Sequence, residues 1–121
     1  MKLVFGLSAL MLAIGAATLL FWRAQPDAEP CAAKEIAQSR SPDGRTQADV
    51  FELRCGTSVD THVALRAASA PPRARSDVFI VAGSAPVHAT WTDSRELVVQ
   101  SRAARVLVQE TSWHDIAIRV R

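Results

Sequence analysis

The sequence contains no cluster of lysine and arginine with interleaved aromatic residues, which is the composition of nucleic-acid-binding surfaces. The chain has 14 basic and 12 acidic residues, and Lys2 and Arg23 flank an apolar segment at its start. Residues 24–121 therefore carry equal numbers of basic and acidic side chains. The excess positive charge belongs to the first 23 residues, and the sequence predicts no nucleic-acid partner.

The short motifs that carry catalysis are also missing. The chain has no Gly-x-Ser-x-Gly, no His-Glu-x-x-His and no phosphate-cradling glycine loop. Its three histidines, at positions 62, 88 and 114, are evenly spaced, but a metal site needs converging side chains, which spacing alone does not supply. The sequence predicts no catalytic residue, no cofactor and no metal site. A small envelope enzyme that uses Cys55 or His88 is an alternative.

Cysteine is scarce, with only Cys31 and Cys55. Structural zinc sites use closely paired cysteines, so these two residues argue against zinc. Two cysteines in the downstream part fit one disulfide in an oxidising compartment, and the alternative is two unrelated buried thiols. A bridge across this loop would stabilise the fold by about 3 kcal/mol in the loop-entropy model.

One long uncharged run is present, at residues 3–22. As a helix it would cover roughly 30 Å, the hydrocarbon thickness of a bilayer. Lys2 precedes it, and Phe21, Trp22 and Arg23 form an aromatic and basic border. The pattern predicts a transmembrane anchor over residues 1–23 and contact with the lipid bilayer through residues 3–22. The alternative is a signal peptide that is cleaved to release a secreted domain.

A polar linker and a tight turn follow the anchor. Residues 24–33 contain two prolines and two acids, which is typical of a stiff spacer. At residues 41–44, Pro42 suits the second position of a type I turn, Ser41 the first and Gly44 the fourth. The Ser41, Pro42, Asp43, Gly44 turn predicts a hairpin of residues 34–39 and 47–55, with the second strand half-buried.

Helical periodicity is absent after residue 23. Alternating apolar residues and turn signals predict further strands at residues 59–67, 77–82, 87–91, 96–101, around 106–108 and at 115–121. Residues 78–81 are apolar on both faces, which predicts a central strand. Residues 34–121 are therefore predicted to form one all-β domain, a small antiparallel sandwich, meander or barrel-like sheet of about 6–8 short strands.

Two features are candidates for a binding surface. Residues 68–76 contain two prolines with Arg73 and Arg75, which predicts an exposed loop that is either a basic contact surface or simply solvated. Trp91 and Trp113 fit core positions. The alternative for the two tryptophans is an exposed pair that forms a binding patch.

Several segments occur in a distinctive order: Ser41-Pro42-Asp43-Gly44, then residues 48–52, 54–56, 77–81, 87–91 and 93–99. This order resembles a family of short bacterial membrane-anchored proteins, in which a Ser-Pro-Asp-Gly turn precedes a strand that ends in Cys-Gly. The resemblance covers most of residues 35–121. It implies a β domain and an envelope location, and it implies no activity.

The anchor, the spacer, the neutral β domain and the missing catalytic motifs together predict a single-pass protein of the bacterial inner membrane. Its C-terminal domain is expected in the periplasm, as a binding or accessory module that contacts another envelope protein. An alternative is an inhibitor or immunity-type protein that blocks a partner through residues 68–76.

Overall fold

In the computed structural model, residues 30–103 and 105–121 are described. The predicted anchor, residues 1–23, lies outside the described residues, and so does the predicted linker before Pro30. No helix in the described part of the chain is long and apolar enough to cross a membrane. Residues Cys31–Arg121 form one compact unit.

The described chain is all-β, as the alternating sequence pattern predicts. It also contains one short 3₁₀ helix, Pro72–Ala74. The strands in these residues are β1 (Ala32–Arg40), β2 (Thr46–Cys55), β3 (Ser58–Ala67), β4 (Ser76–Ala82), β5 (Val87–Asp93), β6 (Glu96–Ser101), β7 (Val106–Gln109), β8 (Ser112–Trp113) and β9 (Ile116–Val120). The two-residue strand β8 was not predicted, because it is too short to show an alternating pattern.

The strands form two sheets, a five-stranded one in the order β1-β2-β3-β4-β7 and a four-stranded one in the order β5-β6-β9-β8. The first sheet is antiparallel throughout. In the second sheet β6 and β9 are parallel, so the prediction of a purely antiparallel arrangement was wrong for this pair. The reason is topological. After β6 the chain adds β7 to the other sheet before it returns, so β6 and β9 are not joined by a hairpin.

The two sheets pack face to face around an apolar core, so the domain is a sandwich. The core residues come from β2, β3 and β4 of one sheet and from β5, β6 and β9 of the other: Ala48, Val50, Val63, Leu65, Val78, Phe79, Val81, Val87, Leu97, Val99, Ile116 and Ile118. Strand β4 lies between β3 and β7, which confirms the interior position predicted from its apolar run. Leu97 and Val99 are fully buried, as their alternation indicates.

Strand β2 differs from its predicted half-buried pattern. Residues 47–51 are all buried, which means that both faces of the strand are covered there. Ala48 and Val50 face the other sheet. Asp49 and Phe51 lie on the outer face, where a side chain of the 68–76 segment covers them. A two-residue alternation cannot reveal a cover that comes from elsewhere in the chain.

The β1–β2 hairpin is closed at both ends. At one end the Gly44 amide donates to the Ser41 carbonyl (2.8 Å), and Gly44 has φ +74°, the left-handed conformation that favours glycine. At the other end Cys31 and Cys55 form a disulfide, with Cα atoms 4.3 Å apart. The predicted turn and the predicted disulfide are therefore the two ends of one element.

The carboxyl group of Asp43 is a sensitive part of this turn. The Ser41 hydroxyl donates to Oδ1 of Asp43 (2.6 Å), and the Arg45 amide donates to the same atom (3.1 Å). These bonds, the first above all, hold the pKa of Asp43 below its ordinary value of 3.8. Since the folded-state pKa is the lower one, the ionised carboxylate stabilises the fold above the unfolded-state pKa. That contribution is lost as the pH falls through the folded-state pKa.

Replacing Ser41 with alanine is expected to raise the pKa of Asp43 towards 3.8, because the strongest of the bonds to the carboxylate is removed. Carboxyl carbon chemical shifts followed by NMR through an acid titration measure this directly. Ser58→Ala is the matched control, since Ser58 bonds the Cys55 carbonyl in a different turn. An Asp43 pKa that is the same in Ser41→Ala and in the native chain would contradict the assignment.

Candidate functional site

A row of polar side chains crosses the outer face of the four-stranded sheet at one end. His88 on β5 pairs with Gln100 on β6. On the other side of Gln100, the Arg121 amide donates to the Val99 carbonyl (2.8 Å), and the Arg121 carbonyl accepts from the Ser101 amide (3.1 Å). This parallel pattern places Arg121 beside Gln100. β5, β6 and β9 are neighbours in the sheet, so they bring the side chains of His88, Gln100 and Arg121 together.

This row lines a groove of about 560 Å³, called the basic groove here. Its described lining consists of Pro86, His88, Gln100, Ser101, Arg102 and Arg121, and no acidic residue is among them. His88, Gln100, Arg102 and Arg121 are all exposed. Neither arginine makes an ion pair with any described residue. The basic groove therefore presents two unneutralised guanidinium groups, an imidazole and an amide to solvent.

The β4–β5 turn holds one wall of this groove in place. The Gly83 amide donates to the Val59 carbonyl (2.8 Å), and the Thr61 hydroxyl donates to the Gly83 carbonyl (2.7 Å). Ser84 is hydrogen-bonded to the carboxylate of Glu52. Thr61 is almost fully buried, so these bonds fasten the turn to the first sheet. The turn thereby fixes where Pro86 and His88 enter β5.

A second depression lies between the edges of the two sheets, and it is called the edge cleft here. It has a volume of about 470 Å³ and a mainly apolar lining: Ile36, Ala37, Val50, Glu52, Thr61, Ser84, Ala85, Pro86, Val87 and His88. Ile36 lies at a β-bulge in the β1–β2 register and is 49% exposed. Pro86 and His88 line both depressions, so the edge cleft and the basic groove meet at these two residues.

The two tryptophans predicted as core or binding residues both pack against the core. The Trp91 indole Nε1 donates to the Ser39 carbonyl (3.2 Å), which joins β5 to the edge strand β1 of the other sheet. Trp113 lies edge-on to the ring of His114, with centroids 4.2 Å apart. Both tryptophans are partly buried.

The two arginines of the 68–76 segment have different surroundings. Arg73, in the short 3₁₀ helix, is exposed. Arg75 is turned towards the sheet, with its guanidinium 3.5 Å above the centre of the Phe51 ring and Nη1 donating to Glu35 (2.7 Å). Of the four residues proposed as a binding surface, Arg73 alone is fully exposed, and the fold does not gather them at one place.

Beneath this segment lies a buried polar cluster, called the Asp49 cluster here. Asp49 is 0% exposed and accepts hydrogen bonds from Arg66 Nε (2.9 Å) and Gln47 Nε2 (3.1 Å). Arg75 Nη1 is 3.5 Å from the same carboxylate, and Arg66 also bonds the Ala70 carbonyl. The cluster ties the 68–76 segment to β2 and β3. Sequence reasoning missed it, because charged residues in a strand ordinarily indicate the solvent face.

His62 extends the covered region next to Phe51. The two rings stack with centroids 5.0 Å apart, and Nδ1 lies 3.1 Å from a carboxylate oxygen of Asp77. Nε2 is buried without a hydrogen-bond partner in the described structure. His62, His88 and His114 lie on different parts of the sandwich. No group of three histidine, cysteine or acidic side chains in residues 30–103 and 105–121 is arranged to hold a metal ion.

No family model, no curated protein and no solved structure matches this chain. Its function is therefore inferred from the residues and geometry described above.

Proposed function

We propose that this chain is a single-pass inner-membrane protein that displays its β-sandwich in the periplasm as a binding module. The apolar run at residues 3–22 supports the anchor. The Cys31–Cys55 disulfide supports an oxidising compartment, since disulfides persist mainly outside the cytosol. The partner is another envelope protein, which contributes an extended segment that pairs with strand β1.

The free edge of β1 carries this proposal. β1 pairs with β2 on one side and has no strand on its other side in the described sheet. All of its residues except Ser39 are exposed. An unpaired edge offers a row of backbone donors and acceptors, and an extended peptide can satisfy them by adding a strand. The edge cleft alongside supplies apolar surface for the side chains of such a peptide.

Among the edges of the described sheets, β1 is best suited to this role. The other edge strands are β5, β7 and β8, with seven, four and two residues, whereas β1 has nine. The disulfide and the 41–44 turn hold β1 in place before a partner arrives, which lowers the ordering entropy lost on binding. Lys34 and the bulge at Ile36 are features that discourage pairing of the edge with other copies. A partner must therefore accommodate them, which makes the edge selective.

A photo-crosslinking amino acid in place of Ile36, in the full chain within its own cells, tests this proposal. We expect it to trap a specific envelope protein. The matched control places the same probe at Leu107, which is 43% exposed on the opposite edge of the sheet and is expected to trap nothing specific. A partner that is captured from position 107 and not from position 36 would refute strand addition at β1.

Ile36→Asp is expected to reduce recovery of that partner at least tenfold, because it places a charge beside the edge cleft at a position that is already half exposed. Leu107→Asp is the control, because it also replaces an exposed apolar side chain with aspartate. Both variants should unfold at the temperature of the native chain, since surface substitutions rarely shift stability by more than about 0.5 kcal/mol. Equal partner recovery with Ile36→Asp and the native chain would count against the proposal.

The two alternatives have less support. An inhibitor or immunity-type protein acting through residues 68–76 would use Arg75, which is already engaged with Phe51, Glu35 and Asp49. An enzyme that uses Cys55 would need a free thiol, but Cys55 is disulfide-bonded. His88 has no carboxylate partner among the described residues.

A further inference from the structure

We propose that the basic groove binds the phosphate groups of anionic lipids at the surface of the membrane that anchors the chain. The inference rests on the proposed membrane anchoring and is independent of strand addition at β1. It comes from the chemistry of the groove and from its position in the sandwich.

The chemistry of the basic groove suits a phosphate. Arg102 and Arg121 each carry a planar guanidinium with donors that match two oxygens of a phosphate. Gln100 lies beside Arg121 and opposite His88, and it adds an amide donor between these two side chains. No acidic side chain is among the described residues that line the groove. A singly or doubly charged anion is therefore the ligand with matching charge.

The position of the groove favours a membrane as the source of that anion. Cys31, where the described unit begins, is bonded to Cys55 at the end of β2. The Gly83 amide bonds the Val59 carbonyl at that same end of the first sheet. From there the β4–β5 turn leads directly to Val87, which pairs with Ser101. The basic groove and the point where the chain enters the domain therefore lie at one end of the sandwich.

The length of the preceding segment limits how far this end can lie from the bilayer. Seven residues, 24–30, separate Arg23 from Cys31. Fully extended, they span at most about 25 Å. If residues 3–22 cross the membrane, Cys31 stays within roughly this distance of the headgroups.

Charge is also unevenly distributed along the sandwich. Exposed basic residues cluster at the Cys31 end: Lys34, Arg54, Arg102, Arg105 and Arg121. Two acidic residues, Glu52 and Asp60, lie at this end, and neither is fully exposed. The segment that precedes Cys31, residues 24–30, adds two acidic residues, Asp27 and Glu29. Each basic residue near the membrane surface raises the binding constant for anionic headgroups about fivefold.

The test uses the full chain in lipid nanodiscs that carry a gadolinium chelate on a small fraction of headgroups. Backbone amides close to the headgroups are broadened in NMR spectra. In discs containing phosphatidylglycerol, we expect broadening at residues 88, 100–102 and 121 and none at the 41–44 turn. In discs of phosphatidylcholine alone, the broadening at the groove should be largely lost.

The double variant Arg102→Gln/Arg121→Gln should lower the binding constant for anionic lipid roughly 30-fold, because it removes the contributions of two arginines. Arg45→Gln/Arg95→Gln is the control, because it removes the same charge from two exposed positions at the opposite end of the sandwich. Equal broadening in both kinds of disc, or equal loss in both double variants, would overturn the proposal.

Two further outcomes separate the inference from its premises. Inorganic phosphate is titrated into the chain held in phosphatidylcholine discs. If inorganic phosphate changes the NMR chemical shifts of the groove amides and phosphatidylglycerol has no effect on these amides, the groove is a site for free phosphate. The lipid proposal is then wrong. If the chain is stably incorporated in discs yet shows no docking, the inference fails and the anchoring stands. A chain that does not enter discs refutes the anchoring and, with it, this inference.

Discussion

Asp49→Ala is expected to lower the free energy of unfolding by about 3–5 kcal/mol, because it leaves a buried arginine without its counter-charge. Asp49 is fully buried and the Arg66 side chain is 9% exposed, so water cannot replace the missing carboxylate. Arg75 keeps its bond to Glu35 and is less affected. Gln47 also loses its acceptor. The 68–76 segment is then held by Arg75, by the bond from Arg66 to the Ala70 carbonyl and by the backbone.

Urea denaturation of the full chain in detergent, followed by tryptophan fluorescence, measures this effect. Asp115→Ala is the matched control, since Asp115 pairs with Arg95 at 3.8 Å with both side chains more than 70% exposed. Exposed pairs contribute about 0–1 kcal/mol. Asp49→Asn, which keeps the side-chain shape, provides a second measurement if the alanine variant does not fold. An effect of Asp49→Ala as small as that of Asp115→Ala would show that the Asp49 cluster does not stabilise the domain.

Replacing both cysteines, Cys31→Ser/Cys55→Ser, is expected to lower the free energy of unfolding by about 3 kcal/mol, because it restores the entropy of an open loop to the unfolded chain. The loss of stability should be largest in β1. This strand is paired on one side only, and its residues are almost all exposed, so little else holds it. The other end of the hairpin is still held by the bonds of the 41–44 turn.

Hydrogen exchange resolves where this loss falls. In the double-serine variant, amide hydrogens near the Cys31 end of β1 should exchange with solvent much faster than in the native chain. The exchange rates of amides in the interior strand β3 should change only as much as the global free energy of unfolding requires. Dithiothreitol should reproduce the effect in the native chain and change nothing in the variant. Equal acceleration in β1 and β3 would mean that the disulfide acts on the whole fold and has no special role in holding the edge strand.

The edge strand connects these results with the proposed function. A partner that adds a strand to β1 needs an edge that is already ordered, and the disulfide supplies this order. The double-serine variant should therefore bind the β1 partner more weakly, while docking of the basic groove on anionic lipid should change little. The edge cleft and the basic groove share Pro86 and His88, but separate variants at Ile36 and at Arg102 with Arg121 distinguish the two contacts.

Much of the local structure could be predicted from the sequence. The 41–44 turn and the alternation around Leu97 and Val99 follow from residues close together along the chain. They follow because turn geometry and strand alternation depend on a few consecutive residues. The pairing of Cys31 with Cys55 was predicted because the chain has only these two cysteines. The alternation of β2 was misleading, because its outer face is covered by a segment that follows β3.

Residues near one another in the chain were enough to identify an all-β domain and its 41–44 turn, and the count of two cysteines predicted its disulfide. Tertiary packing decided the rest, because it joins residues that no local pattern relates. It turned Arg75 inward onto Phe51 and buried Asp49 between partners from other segments. The parallel pairing of β6 with β9 placed Arg121 beside Gln100, and so it created the basic groove. Such a pairing depends on which strand edges remain free once the hairpins have formed, and this is a property of the whole sandwich.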